Sequence, residues 1–318
     1  MLRMFKIEGA VLREDSAQSE DRKNVISNAV WIDAHEPSEE EREELNTFLR
    51  AELPETDDVD EIEFSARYFQ DSAGIHVHSL FLAPGEGGRH NTTTVAFILQ
   101  DKRLLTVREG DLADFRLLRM RARRGQVQVS SPQDLMITMF EQKVENLADA
   151  LEDIHRKLEV VSHMVLEDSD SELEDAIESL AKLEDSNGKI RLCLMDTQRS
   201  ISFMQRHLRE HFELQETARE IKRDVDTLMS HTAFLFDKIN FLMDSTQGFI
   251  SIEQSQIIKT FSIAAVVFLP PTVVASVYGM NFEFMPELQM KYGYVWALFI
   301  MVLSGIAPYW YFKSKDWL

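Results

Sequence analysis

The 318 residues carry 34 Lys and Arg against 54 Asp and Glu, a formal net charge of −20. So acidic a balance argues against nucleic acid as a partner, because phosphate binding needs a basic surface. An apolar fraction of 44% with 20 Phe excludes a disordered acidic tail, and the single cysteine, Cys193, excludes an internal disulfide framework or a CxxC metal site.

The charge is unevenly spread. From residue 257 onward the charged residues are Lys259, Glu283, Glu287, Lys291, Lys313, Lys315 and Asp316, a net of +1, so residues 1–256 hold −21. The opening MLRMFKIEGAVLRED has no apolar core of the kind a secretory signal needs. Residues 1–130 are expected to form an α/β domain, with strand-like runs at 29–32, 75–82, 93–99 and 104–107 and a Pro/Gly loop at 84–88. His76 and His78 form an HxH on one strand face. A Zn2+ pair needs a third ligand that the pattern lacks, which favours ordinary strand histidines. The run Arg116, Arg119, Arg121, Arg123 and Arg124 suits lipid or RNA, but neutralising the acidic body suits it better. Cys193 sits in a helix-like LCLMD and reads as core packing.

Residues 131–256 are expected to be helical and to end in a long stalk helix. Leu214, Ala218, Ile221, Val225, Leu228, Thr232, Leu235, Ile239, Leu242, Thr246 and Phe249 recur at steps of four and three, an a/d pattern over five heptads. A second face reads Asp226, Ser230, Ala233, Asp237, Asn240, Asp244, Gly248, Ser251, Ser255 and Ile258. It continues through Ser262, Ala265, Leu269, Thr272, Ser276 and Gly279. Small residues let helices approach one another around an axis, and hydroxyls hydrogen-bond a hydrated ion. Asp226, Asp237 and Asp244, repeated by symmetry, would make acidic rings that attract cations. They equally suit the solvated face of an amphipathic helix, and helix-packing hydroxyls are the competing reading for Ser262, Thr272 and Ser276. Ile258 and Leu269 interrupt the polar stripe as apolar rings able to gate by dewetting.

Two stretches are free of charge, 18 residues at 261–278 and 21 at 292–312. Each is long enough to cross a hydrocarbon core of about 30 Å, the first only just. Tyr292, Tyr294 and Trp296 lie near one end of the second and Tyr309, Trp310 and Tyr311 near the other, as aromatic belts at two interfaces. The expected divisions are 257–279 for the first span, 280–291 for the connecting loop, 292–312 for the second span and 313–318 for a basic tail. Lysines flank the spans on the side of the termini, so the positive-inside rule places both termini in the cytoplasm. Two helices cannot enclose a pore, so any conduction path requires several copies about an axis.

The loop after the first span reads Tyr278-Gly279-Met280-Asn281-Phe282, then EFMPEL. With FLPPT at 268–272, FKSKDWL at the end, NAVWID at 28–33, TTVAF at 93–97 and RLLRMRAR at 116–123, it resembles the CorA family of magnesium transport proteins over essentially the whole chain. The resemblance implies an α+β membrane protein: an N-terminal cytoplasmic α/β domain, a long stalk helix continuing into the first of two transmembrane helices, and a homopentameric pore lined by that helix. It implies a selectivity loop at Gly279, Met280 and Asn281, a polar pore ring at Thr272 and hydrophobic constrictions near Ile258, Phe261 and Leu269; the small and polar stripe adds Ser276, Ala265, Ser262, Ser255 and Asp244 as pore-lining positions. A basic collar falls on Lys313 and Lys315. The metal contacts would be Asn281, toward hydrated Mg2+, and Asp244; the regulatory ligands stay unassigned.

The chemistry agrees. Mg2+ prefers octahedral oxygen and sheds water reluctantly, so a site that must pass it on should address its hydration shell. Asn281 carboxamides and Gly279 carbonyls supply neutral acceptors, and Glu283 and Glu287 either concentrate cations or are solvated loop charges. Inward movement of a divalent ion through 100 mV gains about 4.6 kcal/mol, so no ATP coupling is required. The expected function is magnesium uptake, with cobalt and nickel as further ions, through an inner-membrane homopentamer that needs no organic cofactor. Acidic clusters at 36–44, 55–63 and 167–178 repel one another about an axis, and cytoplasmic Mg2+ between them would hold the pore shut. Zn2+ transport is the near alternative, disfavoured by Met280, and a pore-free membrane scaffold or sensor is the distant one. No catalytic arrangement is evident, so an enzyme is not expected.

Overall fold

The computed structural model describes residues 1–15, 22–49, 67–167, 173–208, 211–281 and 285–315. The first strands, β1 (Leu2–Glu8) and β2 (Val11–Asp15), form a hairpin. Gly9 and Ala10 turn it with φ of 56° and 68°, the left-handed pair that a two-residue hairpin turn demands. There follow α1 (Arg22–Asn28), β3 (Trp31–His35), α2 (Glu39–Leu49), β4 (Tyr68–Gln70), β5 (Ile75–Pro84), β6 (His90–Leu99) and β7 (Leu104–Arg108). The strands form one sheet in the order β2-β1-β3-β7-β6-β5-β4. Only β3 and β7 pair in parallel; the remaining neighbours are antiparallel.

Four of these strands lie where the apolar runs predict them, with shifted ends. The run at 29–32 becomes Trp31–His35 because α1 occupies the chain to Asn28. Strands β1, β2 and β4 are additions: charged residues interrupt the first two, β4 is only three residues long, and pairing with neighbours makes them strands.

Both sheet faces are covered. Met4, Ile32, Ala96, Ile98 and Leu105 form one core with Ile26 of α1 and Leu45 of α2. On the other face Phe5, Trp31, Phe81 and Phe97 meet α3 (Ala113–Arg123), α4 (Pro132–Leu166) and α5 (Leu173–His207). Ser131 caps α4, its hydroxyl accepting from Asp134 N at 3.1 Å, and Pro132 begins the helix. Helices α4 and α5 are each 35 residues long and pack on one another.

Helix α6 runs from Phe212 to Tyr278, 67 residues, and α7 from Gly293 to Ser314. Along α6 the expected a/d positions Ala218, Ile221, Val225, Leu235, Ile239 and Leu242 are buried in the body's core. Thr232 is buried too, its carbonyl accepting from Asn187 Nδ2 of α5 at 3.0 Å, while Phe249 is exposed. The packing forms two compact units, Met1–Met243 and Asp244–Leu318. Helices α6 and α7 are both long and apolar enough to cross a membrane.

Candidate ion-conduction site

Within residues 244–318 the two apolar helices pack side by side, and that packing sorts the faces of α6. Ile263, Val267, Pro270, Pro271, Val274 and Tyr278 are the half-buried positions of the apolar segment. At 100° per residue they fall on one side of the helix. Ser262, Ala265, Leu269, Thr272 and Ser276 are all exposed and lie on the opposite side, together with Ile258 and Ser255. Phe261 is exposed about 60° from that line. The candidate lining residues are thus among those that α7 leaves uncovered, as are Val266, Phe268, Val273 and Val277 on the flanks.

Their chemistry has a direction. Thr272 donates its hydroxyl proton to Phe268 O at 2.8 Å, and Ser255 does the same to Ser251 O at 2.8 Å. With the proton turned onto the helix, the oxygen lone pairs face outward. That polarity suits the outward-pointing hydrogens of a hydrated cation. Leu269 and Ile258 are 59% and 65% exposed, so each presents an apolar surface between the polar levels.

The helix ends at the Gly279-Met280-Asn281 loop. Gly279 N bonds Ala275 O at 2.9 Å and Met280 N bonds Val277 O at 3.3 Å. A Cβ at Gly279 would stand 3.1 Å from Ala275 O, so any other residue presses on the last turn. The negative end of the helix dipole therefore points at Met280 and Asn281, and both are exposed. Glu283 lies outside the described residues, and Glu287 sits on a short 3-10 turn, Pro286–Gln289. Lys313 and Lys315 are exposed at the end of α7.

The stalk aspartates differ among themselves. Asp226 accepts from Gln198 Nε2 of α5 at 2.6 Å. It also borders a groove of about 400 Å3 with Arg219, Lys222 and Arg223. Asp237 and Asp244 are exposed, with no ion pair among the described residues. The acidic stretch 55–63 lies outside the described residues, as do 168–172 within the third cluster and residues 316–318. Among the described residues no three His, Cys, Asp or Glu gather as a metal-ligand set.

The other sequence candidates have local roles. His76 Nε2 pairs with Asp71 Oδ1 at 3.0 Å, and Phe69 stacks on its ring at 4.3 Å. His78 is buried and held neutral, burial pushing it down to about 4 with help from the His76 and Arg67 charges. Arg119 reaches Asp33 and Asp111 at 3.3 Å each, Arg116 pairs with Asp111 at 2.7 Å, and Arg123 bonds Glu14. The basic run thus neutralises carboxylates of the body. Cys193 is buried and free, its thiol pushed up to about 11 by burial.

Sequence reasoning missed two buried ionic clusters. Arg108 grips Asp33 through Nε and Nη2, both at 3.0 Å, joining the parallel strands β3 and β7. Lys143 donates to Ser79 Oγ at 2.8 Å beneath the sheet. Burial lowers the Lys143 ammonium and the Asp196 carboxylate opposes that shift. An apolar helix face interrupted by one lysine, at Lys143 between Phe140 and Val144, was the available signal.

Residues 27–314 match the CorA-like Mg2+ transporter protein family. The magnesium transport protein CorA of Pectobacterium atrosepticum is 46% identical over 319 residues, covering 100% of both chains. That of Escherichia coli K12 is 48% identical over 294 residues, 92% of this chain and 93% of the relative. The complete structure of the CorA magnesium transporter from Methanocaldococcus jannaschii superposes with a TM-score of 0.77 at 16% identity, over 100% of this chain and 99% of that one. That likeness establishes the fold across the body and both apolar helices. Together with the family match over residues 27–314, it means that the chain belongs to the CorA-like Mg2+ transporter protein family.

Proposed function

We propose that this chain admits Mg2+ through a homopentameric pore of the inner membrane, with both termini in the cytoplasm. The observation that carries the reading is the face of α6 opposite α7. It is polar, small or singly apolar from Ser255 to Ser276 and ends at the Gly279-Met280-Asn281 loop. Neutral acceptors at that loop hold the ion by its water and release it. The membrane potential supplies the driving force, and Co2+ and Ni2+, similar in size and hydration, pass by the same route. Apolar rings at Leu269 and Ile258 close the path, and Mg2+ bound between acidic bodies favours closure. Neither an organic cofactor nor a catalytic step enters this scheme. The α/β domain of 1–130, the helical region of 131–256 and the spans at 257–279 and 292–312 are its working parts.

The test is flux into proteoliposomes of the purified chain, with Mg2+, Co2+, Ni2+ and Zn2+ compared side by side. Mg2+ uptake that grows with an inside-negative potential is expected. Zn2+ flux without Mg2+ flux, or Mg2+ flux indifferent to the potential, overturns the assignment.

A further inference from the structure

Helix α7 touches α6 at its proline pair. Pro270 and Pro271 lie inside α6, and each lacks the N–H that would bond the carbonyl four residues back, those of Val266 and Val267. A carbonyl without its helix donor needs cover from a neighbour inside a bilayer. Gly305 of α7 provides that cover for Val267. A Cβ built on Gly305 would stand 3.3 Å from Pro271 Cγ and 3.6 Å from Val267 O. The backbone of α7, not a side chain, therefore lies against the proline ring and the freed carbonyl. The adjacent Ser304 turns its hydroxyl onto Met301 O at 2.9 Å of its own helix, so it does not take over the task.

Pro271 directly precedes Thr272 and follows Leu269 by two residues, and both of those lie on the exposed face. A push on the proline ring is not spread along a fully bonded helix, because two consecutive bonds are missing at this turn. It moves Thr272 and Leu269 instead. We propose that Gly305 is a positioning residue for conduction: its missing side chain lets α7 seat the proline turn of α6 and so sets the level of Thr272 and Leu269 in the pore. Gly305 never meets the ion; it acts through Pro271. The inference rests on the reading of that face as the conduction path.

The experiment measures initial Mg2+ influx across a range of external Mg2+ for the full chain in liposomes. The variants are Gly305→Ala, Pro271→Ala, their combination and Asn281→Ala. One added methyl against a packed ring overfills the contact, which lowers the seated population and cuts maximal influx about fivefold or more. Half-saturation stays unchanged, because the loop at 279–281 is untouched. In the Pro271→Ala background, where the ring is gone, Gly305→Ala has little further effect. Unchanged influx in Gly305→Ala overturns the proposal, as does a loss seen equally with and without the ring. If Gly305→Ala fails to assemble, recovery of assembly in the double variant supports the contact and its absence overturns it. Full uptake by Asn281→Ala sinks the pore reading itself, a result separate from any outcome at Gly305.

Discussion

Lys143 Nζ lies 3.6 Å from Asp196 Oδ2, and both side chains are closed to solvent. Lys143 also sits over the Phe81 ring at 4.5 Å, while Asp196 accepts from Ser79 Oγ at 2.5 Å and Leu80 N at 2.8 Å. One ion pair thus ties the sheet to both long helices. Lys143→Met leaves Arg67 Nη1, 3.7 Å from Asp196 Oδ1, as the remaining cation beside the buried carboxylate, and is expected to cost about 3 kcal/mol, the low end for breaking a buried pair. Lys143→Met with Asp196→Asn removes the stranded charge and should recover part of that loss. Unfolding midpoints of the full chain in detergent decide it. A double variant no better than the single one contradicts the charge argument.

Asp114 is buried, with Oδ1 unpartnered among the described residues and Oδ2 accepting from Asn146 Nδ2 at 3.3 Å. Burial pushes its carboxyl up to about 6. A folded value above the unfolded one means the fold binds the proton more tightly, so this group adds stability as pH falls from about 6 toward 4 and costs stability above. Asp114→Asn should be more stable than the parent at pH 7.5 by about 1–3 kcal/mol. The advantage should vanish near pH 4. Equal midpoints at pH 7.5 would refute this.

His78 contributes the opposite slope. Its folded value near 4 lies below the unfolded value of about 6.5, so its stabilising contribution is present above pH 6.5 and is lost as pH falls toward 4. Phe69 meets its ring edge-on at 6.0 Å, and a second aromatic is the conservative replacement. His78→Phe should lose less stability than the parent between pH 6.5 and 4.5, by about 1–3 kcal/mol. Parallel pH profiles for parent and variant would show that His78 does not titrate in this way.

Asn281 follows the end of α6 and is exposed at the helix's negative pole. Asn281→Ala removes the carboxamide acceptor while leaving the helix end, whose bonds come from Gly279 and Met280. Mg2+ uptake should disappear while the variant elutes with the same assembly size as the parent on size exclusion. Intact uptake defeats the role assigned to the loop.

Leu269 interrupts the polar face between Ala265 and Thr272. If water is expelled at this ring in the closed pore, Leu269→Ser wets it. The expected result is Mg2+ influx that persists when the liposome interior is loaded with Mg2+, where the proposed gating predicts closure of the parent. Equal inhibition in both places the closure elsewhere.

The amino-acid sequence by itself determined what is local and periodic. Two unbroken apolar runs announce the spans, the a/d stripe from Ala218 to Leu242 announces the buried side of the stalk, and four contiguous residues, Tyr278 to Asn281, carry the family. Each signal is complete within a few helical turns, so no partner segment is needed to recognise it. Only the tertiary structure decided the rest. Strands β1, β2 and β4 exist through pairing, the Asp33–Arg108 grip spans 75 residues, and Ser79 finds Asp196 across 117. Such pairs depend on strand register and helix docking, which leave little periodic trace along the chain. The same holds in the membrane. The sequence presents the polar face of α6, but that α7 covers the opposite face, with Gly305 against Pro271, follows from how two apolar helices fit together.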